Sequence, residues 1–248
     1  MKMKNLKVIS ILVLSILTLF ASCTKKPCGS GSLITKEISM SSFNSIKNKT
    51  VSQTTISEGA TPKIEVTGYS YIIEDNLSLS VSNQTLTLDY LNTHDYCPSD
   101  YDNSLFDITI PHISNIELTG TGNLIVNDFH NQGDLSFLNT GTGAISTKQL
   151  TGTKNLTVTI KGTGNIIANN NIDSLKNTAV LITGTGSFKA FPLQTESCTV
   201  TVTGTGSCEI FAKTNLVVNI KGSGNVYYKG TPSISQNITG SGKLINAN

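Results

Sequence analysis

The residues best equipped for chemistry lie between Asn92 and Ser104, in the polar run "NTHDYCPSDYDNS". His94, Asp95, Asp100 and Asp102 place one imidazole and three carboxylates close together, and hard oxygen ligands so grouped could hold Ca²⁺. Their spacing matches no established calcium loop, and the run has no turn glycine. A solvated surface loop is expected, with Asp95, Asp100 and Asp102 the only weak metal candidates. The other histidines, His112 and His130, are scattered, and no Ser-His-Asp arrangement can be assembled. The acids further along, Glu117, Asp128, Asp134, Asp173, Glu196 and Glu209, occupy unrelated places in the pattern described below, so they give no paired-carboxylate site. "GSGK" at Gly240–Lys243 is followed by Leu244, where a phosphate loop needs Ser or Thr. No catalytic residue and no cofactor is expected, and the chain is read as a non-enzyme.

What the sequence repeats is a corner. Gly-Thr-Gly or Gly-Ser-Gly occurs seven times, as Gly120 and Gly122, Gly141 and Gly143, Gly162 and Gly164, Gly184 and Gly186, Gly204 and Gly206, Gly222 and Gly224, and Gly240 and Gly242. The intervals are 21, 21, 22, 20, 18 and 18 residues, a period that signals a solenoid. A dinucleotide fingerprint would need a third glycine three places on, where Ile125, Ser146, Ile167, Lys189, Glu209, Tyr227 and Ile245 stand instead. Four residues after each first glycine lies an apolar side chain: Leu124, Ile145, Ile166, Phe188, Cys208, Val226 and Leu244. Two before it, the position is apolar except at Asn139. Alternation on both sides of the glycines reads as strand, corner, strand. Glycine is expected at the corner because it enters positive φ freely.

A coil of about twenty residues cannot enclose a core, but stacked coils can, with strands pairing in parallel ~4.8 Å apart. The expected fold is all-β: a single-chain parallel, right-handed β-helix with coils of about 18–22 residues. Thr121, Thr142, Thr163, Thr185, Thr205, Ser223 and Ser241 should form an outward hydroxyl ladder at the corners, with Asn123, Asn165 and Asn225 as a partial second one. Hairpin meanders are the competing arrangement, but they do not explain one corner per twenty residues.

The first 22 residues read as a signal peptide: Lys2, Lys4 and Lys7, then an apolar stretch from Val8 to Phe20 too short to span a bilayer. "LFASC" resembles a lipobox, so Cys23 is expected to be acylated, with palmitate among its chains, and to anchor the mature protein to a membrane. Residues 23–34 are expected to be a flexible tether. The 18 basic residues are all lysine, and the mature chain keeps 15 of them against 16 acids, a balance that argues against nucleic acid. None of Cys28, Cys97, Cys198 and Cys208 forms a CxxC pair. In an oxidising compartment Cys97 either pairs with Cys28 or stays free, whereas Cys198 and Cys208 fall on inward positions and read as small core groups.

Carried backward, the register places Ile64 and Val66 before Gly68 and Ile72 after it, as a degenerate repeat. Residues 35–115 are therefore expected to be irregular β coils with one long loop at 92–104, and residues 116–248 the regular repeats. The stretches "IEVTGYSYIIEDNLSLSVSNQTLTLDY" and "FDITIPHISNIELTGTGNLIV", together with the repeated corners, resemble the putative auto-transporter adhesin, head GIN domain family over about residues 42–248. The resemblance implies a β-helical protein of the Gram-negative cell envelope, secreted or lipid-anchored, with an adhesive role toward a glycan, a matrix protein or an envelope partner. Outer-membrane localisation, periplasmic or surface-facing, follows from the same inference. The alternative is a periplasmic structural or assembly lipoprotein. Less supported are a polysaccharide-active enzyme and an ice- or crystal-surface binder, the latter because Lys161 and Lys221 interrupt the threonine rows. Weak self-association is expected through the last coil, residues 238–248.

Overall fold

The structure, a computed structural model, describes residues 28–29, 31–92, 97–130, 132–169 and 175–248. The signal segment, Cys23, His94, Asp95 and Asp173 lie outside the described residues. Strands β1 (Leu33–Ile38), β2 (Ser45–Asn48), β3 (Gln53–Glu58) and β4 (Lys63–Tyr69) come first, then a short helix α1 (Ser70–Asp75). Next are β5 (Leu77–Ser82) and β6 (Thr85–Tyr90), a second short helix α2 (Pro98–Asp102), and β7 (Leu105–Ile110). The corner repeats then give β8 (Asn115–Leu118), β9 (Leu124–Val126), β10 (Leu135–Asn139), β11 (Ile145–Thr147), β12 (Asn155–Ile160), β13 (Ile166–Ala168) and β14 (Asn177–Ile182). The last are β15 (Phe188–Val202), β16 (Cys208–Ile220), β17 (Val226–Lys229), β18 (Ser233–Ile238) and β19 (Leu244–Asn246).

These strands make a parallel β-solenoid of about six turns. Side one holds the strands before each corner, stacked in the order β6, β2, β8, β10, β12, β14, β15, β16 and β18. Side two holds the strands after it: β7, β3, β9, β11, β13, the starts of β15 and β16, then β17 and β19. An irregular third side closes each coil, and Phe129, Leu150, Leu193 and Ala212 are buried on it. The alternating residues form apolar ladders through the centre: Leu124, Ile145, Ile166, Phe188, Cys208 and Val226 are all at most 1% exposed. Burial pushes the Cys198 thiol up to about 12 and the Cys208 thiol well above its ordinary value, so both pack as neutral groups. Asn139, the polar exception in its column, spans the corner: its Nδ2 donates to the Gly143 carbonyl at 2.8 Å, and its Oδ1 accepts from the Gly141 N–H at 3.0 Å.

The corner glycines are there for a different reason than positive φ. None of the fourteen has a φ in the left-handed region. Instead each backbone rests on the corner of the coil before it. A Cβ on Gly162 would lie 2.1 Å from the Gly141 carbonyl oxygen, and one on Gly164 would lie 1.9 Å from that of Gly143. The middle residue points away, and Thr163 is exposed. Asn123, Asn165 and Asn225 strengthen the stack, each Oδ1 accepting the backbone N–H of Ala144, Ser187 and Lys243 in the next coil at 2.8–2.9 Å.

The N-terminal third departs from the expected run of coils. Gly68 is no corner: it lies inside β4, which pairs antiparallel with both β1 and β7. Glycine fits there closely: a Cβ would lie 2.7 Å from Ser104 Oγ, so Ser104 would have to shift. Ile72 sits in α1, not on a strand. β5 and β6 form an antiparallel hairpin whose turn, Asn83-Gln84, has positive φ at both residues, as a two-residue hairpin turn demands. The true first coil of the chain is 45–58, and it is inserted between two later ones. β2 and β3 pair with β6 and β7 below and with β8 and β9 above. Its corner, Thr50-Val51-Ser52, needs no glycine, because the described residues beneath it, 91–92 and 97–104, form no corner of this kind. They leave room for side chains: Ser52 Oγ lies 2.7 Å from the Tyr90 hydroxyl and donates to the Tyr101 carbonyl at 2.6 Å.

The same stretch is fixed to the start of the chain. Cys28 and Cys97 form a disulfide across a sequence separation of 69, so residues 23–34 are not one free tether. Asp100, 2% exposed, accepts the Gly29 N–H at 3.1 and 3.2 Å on its two oxygens and is hydrogen-bonded by the Tyr71 hydroxyl. A disulfide typically stabilises a fold by ~2–4 kcal/mol.

This packing fixes the response to substitution. Gly162→Ala should lower the melting temperature by roughly 3–10 °C, since overpacking costs ~1–3 kcal/mol and each kcal/mol moves a domain of this size ~2–4 °C. Ile166→Asp should abolish cooperative unfolding, and Thr163→Ala should leave it unchanged; calorimetry of the three variants side by side checks all three. Cys97→Ser should lower the melting temperature by about 5–10 °C. It should also expose the segment around Gly29 and Gly31 to limited proteolysis, read by mass spectrometry of the released N-terminal peptide.

Candidate functional site

Among the described residues, those singled out for chemistry do not converge. Asp100 is committed to Gly29 and Tyr71, whereas Asp102, on the same helix, is exposed. Among the described residues no group of three His, Cys, Asp or Glu side chains is arranged to hold a metal. His112 is exposed, and His130 bonds Glu58 through its ring Nδ1 at 2.7 Å and its backbone N–H at 3.1 Å. Those hydrogen bonds hold the Glu58 carboxyl below its ordinary value. Four of the acids further along, Glu117, Asp128, Asp134 and Glu196, tie neighbouring coils together. Glu117 pairs with Lys47 at 2.8 Å, Asp128 accepts the Gln149 N–H at 3.0 Å, and Glu196 accepts the Thr214 hydroxyl at 3.0 Å. These contacts join residues one coil apart, which is a scaffold's use of charge.

The surface that stands out is the outer face of side one. Two outward columns run across it in register. One is Ser136, Thr157, Ala179, Thr199, Val217 and Ser235; the other is Leu138, Thr159, Leu181, Thr201, Asn219 and Asn237. Neither contains a charge over six adjacent strands, a strip roughly 24 Å long at ~4.8 Å per strand. Charge begins only toward the N-terminal end, with the Lys47–Glu117 and Lys49–Asp89 pairs. Leu181 and Val217 are 37% and 39% exposed, unusual for large apolar side chains at the middle of a sheet face. Around Leu181 lies a shallow depression of about 310 Å³, walled by Thr157, Thr159, Ala179, Thr199 and Thr201.

Both margins of the strip are polar. On one, Asn155 donates to Asp134 at 2.8 Å, Asn177 to Asn155 at 2.8 Å and Asn215 to Ser197 at 3.2 Å. On the other, next to the corners, stand Thr140, Lys161, Thr183, Thr203, Lys221 and Thr239. Methyl and hydroxyl groups alternate across the strip on a backbone that cannot move independently of its neighbours. Such a surface can bury against another flat, weakly polar one and exchange a few hydrogen bonds, and its two columns carry no ionisable side chain. The sequence drew attention to the corner threonines. The strip was also legible, in the outward positions three and five residues before each corner.

Comparison with known proteins agrees with this architecture. A putative adhesin from Bacteroides fragilis NCTC 9343 superposes with a TM-score of 0.79 at 22% identity, covering 88% of this chain and 98% of that one. A putative adhesin from Parabacteroides merdae ATCC 43184 gives 0.68 at 22% identity, covering 89% and 98%. A protein from Parabacteroides distasonis ATCC 8503 described as a putative lipid binding protein gives 0.67 at 21% identity, covering 89% and 98%. At these identities the likeness concerns the fold. No curated protein matches the sequence. The family model described as putative auto-transporter adhesin, head GIN domain matches residues 42–232, the intercalated first coil and most of the corner repeats, and the chain belongs to that family.

Proposed function

We propose that the protein is a lipid-anchored component of the cell envelope that binds a glycan, a matrix protein or another envelope component through the outer face of side one. The observation that carries this reading is the uncharged strip from Ser136 to Asn237, with Leu181 and Val217 exposed at its centre. A monomeric surface normally scatters its apolar residues among charges, and a contiguous weakly polar area marks a contact site. The family's description as adhesins supports the same role. No helix among the described residues is long and apolar enough to cross a membrane, so the anchoring rests on the lipobox-like "LFASC" and acylation of Cys23. The disulfide bears on the geometry: only about five residue steps separate Cys23 from Cys28, at most ~18 Å of extended chain. An acylated Cys23 therefore holds the N-terminal end of the solenoid close to the bilayer and leaves the C-terminal end free to project.

Cys23→Ala should move the protein from the membrane fraction to the soluble one and abolish its partitioning into detergent; unchanged fractionation would remove the anchor from this reading. Protease shaving of intact cells separates a surface-facing adhesin, which is cut, from a periplasmic structural lipoprotein, which is protected. The binding face is tested with Leu181→Lys combined with Thr201→Lys on panels of glycans and matrix proteins. A loss of more than about tenfold in affinity is expected, with an unchanged melting temperature because both side chains point outward; equal binding by the double variant would exclude this face.

A further inference from the structure

The two ends of the solenoid are built differently. At the N-terminal end side one continues past β6 into β5, and side two continues past β7 into β4 and then β1, all antiparallel. The end is therefore stepped by one strand. It also carries charge, with Lys63 bonded to Glu37 at 3.0 Å and to Glu65 at 3.1 Å. At the C-terminal end β18 and β19 stop level with one another, and no described segment pairs with their outer edges. Ile234 and Ile238 continue inward columns in which Leu216 and Ile220 are fully buried, yet they are 40% and 37% exposed. Among the described residues no segment is stacked on them. β18, "SISQNI", contains no charge and no proline, which are the usual devices that keep an edge strand from pairing.

We infer that this end pairs with the same end of a second copy, β18 against β18, antiparallel about a two-fold axis at Gln236. The sequence of the edge is self-complementary in that register. Ile234 stands opposite Ile238 of the second copy, and Gln236 stands opposite its own counterpart. Glutamine carries both an amide donor and a carbonyl acceptor, so two facing copies satisfy each other. The columns explain why a polar residue is accepted at this place: Gln236 lies above Val218, in a position occupied by Phe137, Val158, Val180 and Val200 in earlier coils. There a buried amide would lack a partner. Head-to-tail stacking fits worse, because it would lay the uncharged β18 and β19 against the end that carries Lys63, Glu37 and Glu65. A two-fold contact closes on itself and yields a dimer, not a filament. One coil's end is small against the ~800 Å² per partner of a standard interface, so the affinity expected is micromolar.

The pairing sets the two N-terminal ends, with their Cys28–Cys97 staples, at opposite extremes of a rod roughly 90 Å long at ~4.8 Å per strand. If Cys23 is the anchor, as proposed above, the dimer joins two membrane surfaces, and the adhesion includes contact between like proteins. This last step rests on the anchored reading; the pairing itself does not.

The test uses the full-length chain on cells carrying Gln236→Cys, with a mild oxidant and a non-reducing gel. Facing Gln236 positions are expected to give a covalent dimer reversed by reductant, and adding Ile238→Lys should lower its yield more than about tenfold. Ser80→Cys, on β5 at the other end, should give none. Absence of the Gln236→Cys dimer while the thiol still reacts with a maleimide overturns the pairing, as does an equal yield from Ser80→Cys. A mixture of two cell populations with differently tagged Gln236→Cys chains then addresses the second step. Mixed-tag dimers are expected; dimers confined to one tag keep the pairing and overturn the contact between surfaces. Sedimentation velocity of the detergent-solubilised wild type and Ile238→Lys over a concentration series gives a reading independent of cysteine chemistry, and a strictly monomeric wild type at high micromolar concentration would overturn the pairing.

Discussion

The closest constraint in the molecule is the approach of one corner's backbone to the next. At the first and third corner positions a single methyl carbon would fall about 2 Å from a carbonyl oxygen of the preceding coil. Real Cβ atoms do not come that close, so the coil must either use glycine or move apart. Moving apart would break the parallel ladders on the two sides that meet at the corner. The choice of glycine thus keeps both sheets at hydrogen-bonding distance through a sharp bend, and the bend in turn aims the apolar ladders at a common centre. Repeats of 18 and 22 residues obey the same corner because the difference in length is taken up on the irregular third side.

The constraint also shows where it stops. Thr50 and Ser52 stand at the two corner positions of the 45–58 coil and keep their side chains, since the described residues beneath, 91–92 and 97–104, form no corner of this kind. The Ser52 hydroxyl reaches the Tyr90 hydroxyl and the Tyr101 carbonyl below, while the Thr50 hydroxyl donates to Asn48 Oδ1 within its own coil. The rule is therefore one of neighbours: a corner is glycine when another corner lies directly under it. Gly120, the first glycine of the series, rests on Thr50 and needs to be glycine although the residue below does not.

This explains which parts of the fold were legible. The repeats from Leu118 onward announce themselves because, beyond the first, which rests on coil 45–58, every coil contacts only its neighbours in sequence, so one period governs the run. Coil 45–58 has the alternation, with Ile46 and Ile56 fully buried, but its corner lacks the signature and its neighbours lie 40 and 70 residues away. No local pattern carries that order. Gly68 misled for a related reason: "IEVTG" fits the ladder spacing, but its glycine answers to Ser104 across an antiparallel pair. The turn at Asn83-Gln84 has no glycine to mark it. The loop's acids were legible as residues but not as roles, because the partner of Asp100 is a backbone N–H at Gly29 and a hydroxyl at Tyr71, brought in by the disulfide and by α1. The uncharged strip on side one follows directly from the outward positions of the repeat, and its flatness follows from the corners.

Binding by such a scaffold differs from binding in a cleft. A cleft selects by shape and can close; a solenoid face is held by ladder hydrogen bonds on both its margins and has little freedom to adapt. Little conformational entropy is then lost when a partner settles on it, which favours binding through many weak contacts. The same rigidity limits selectivity, because hydroxyl and methyl groups repeated at strand spacing present nearly the same chemistry at every coil. On the proposed binding face, discrimination would come from positions that break the pattern, such as Leu138, Leu181 and Val217 among the hydroxyls, and Lys161 and Lys221 at the margin. A partner whose own surface repeats near the strand spacing could engage several coils together, gaining from each contact the avidity that no single coil supplies.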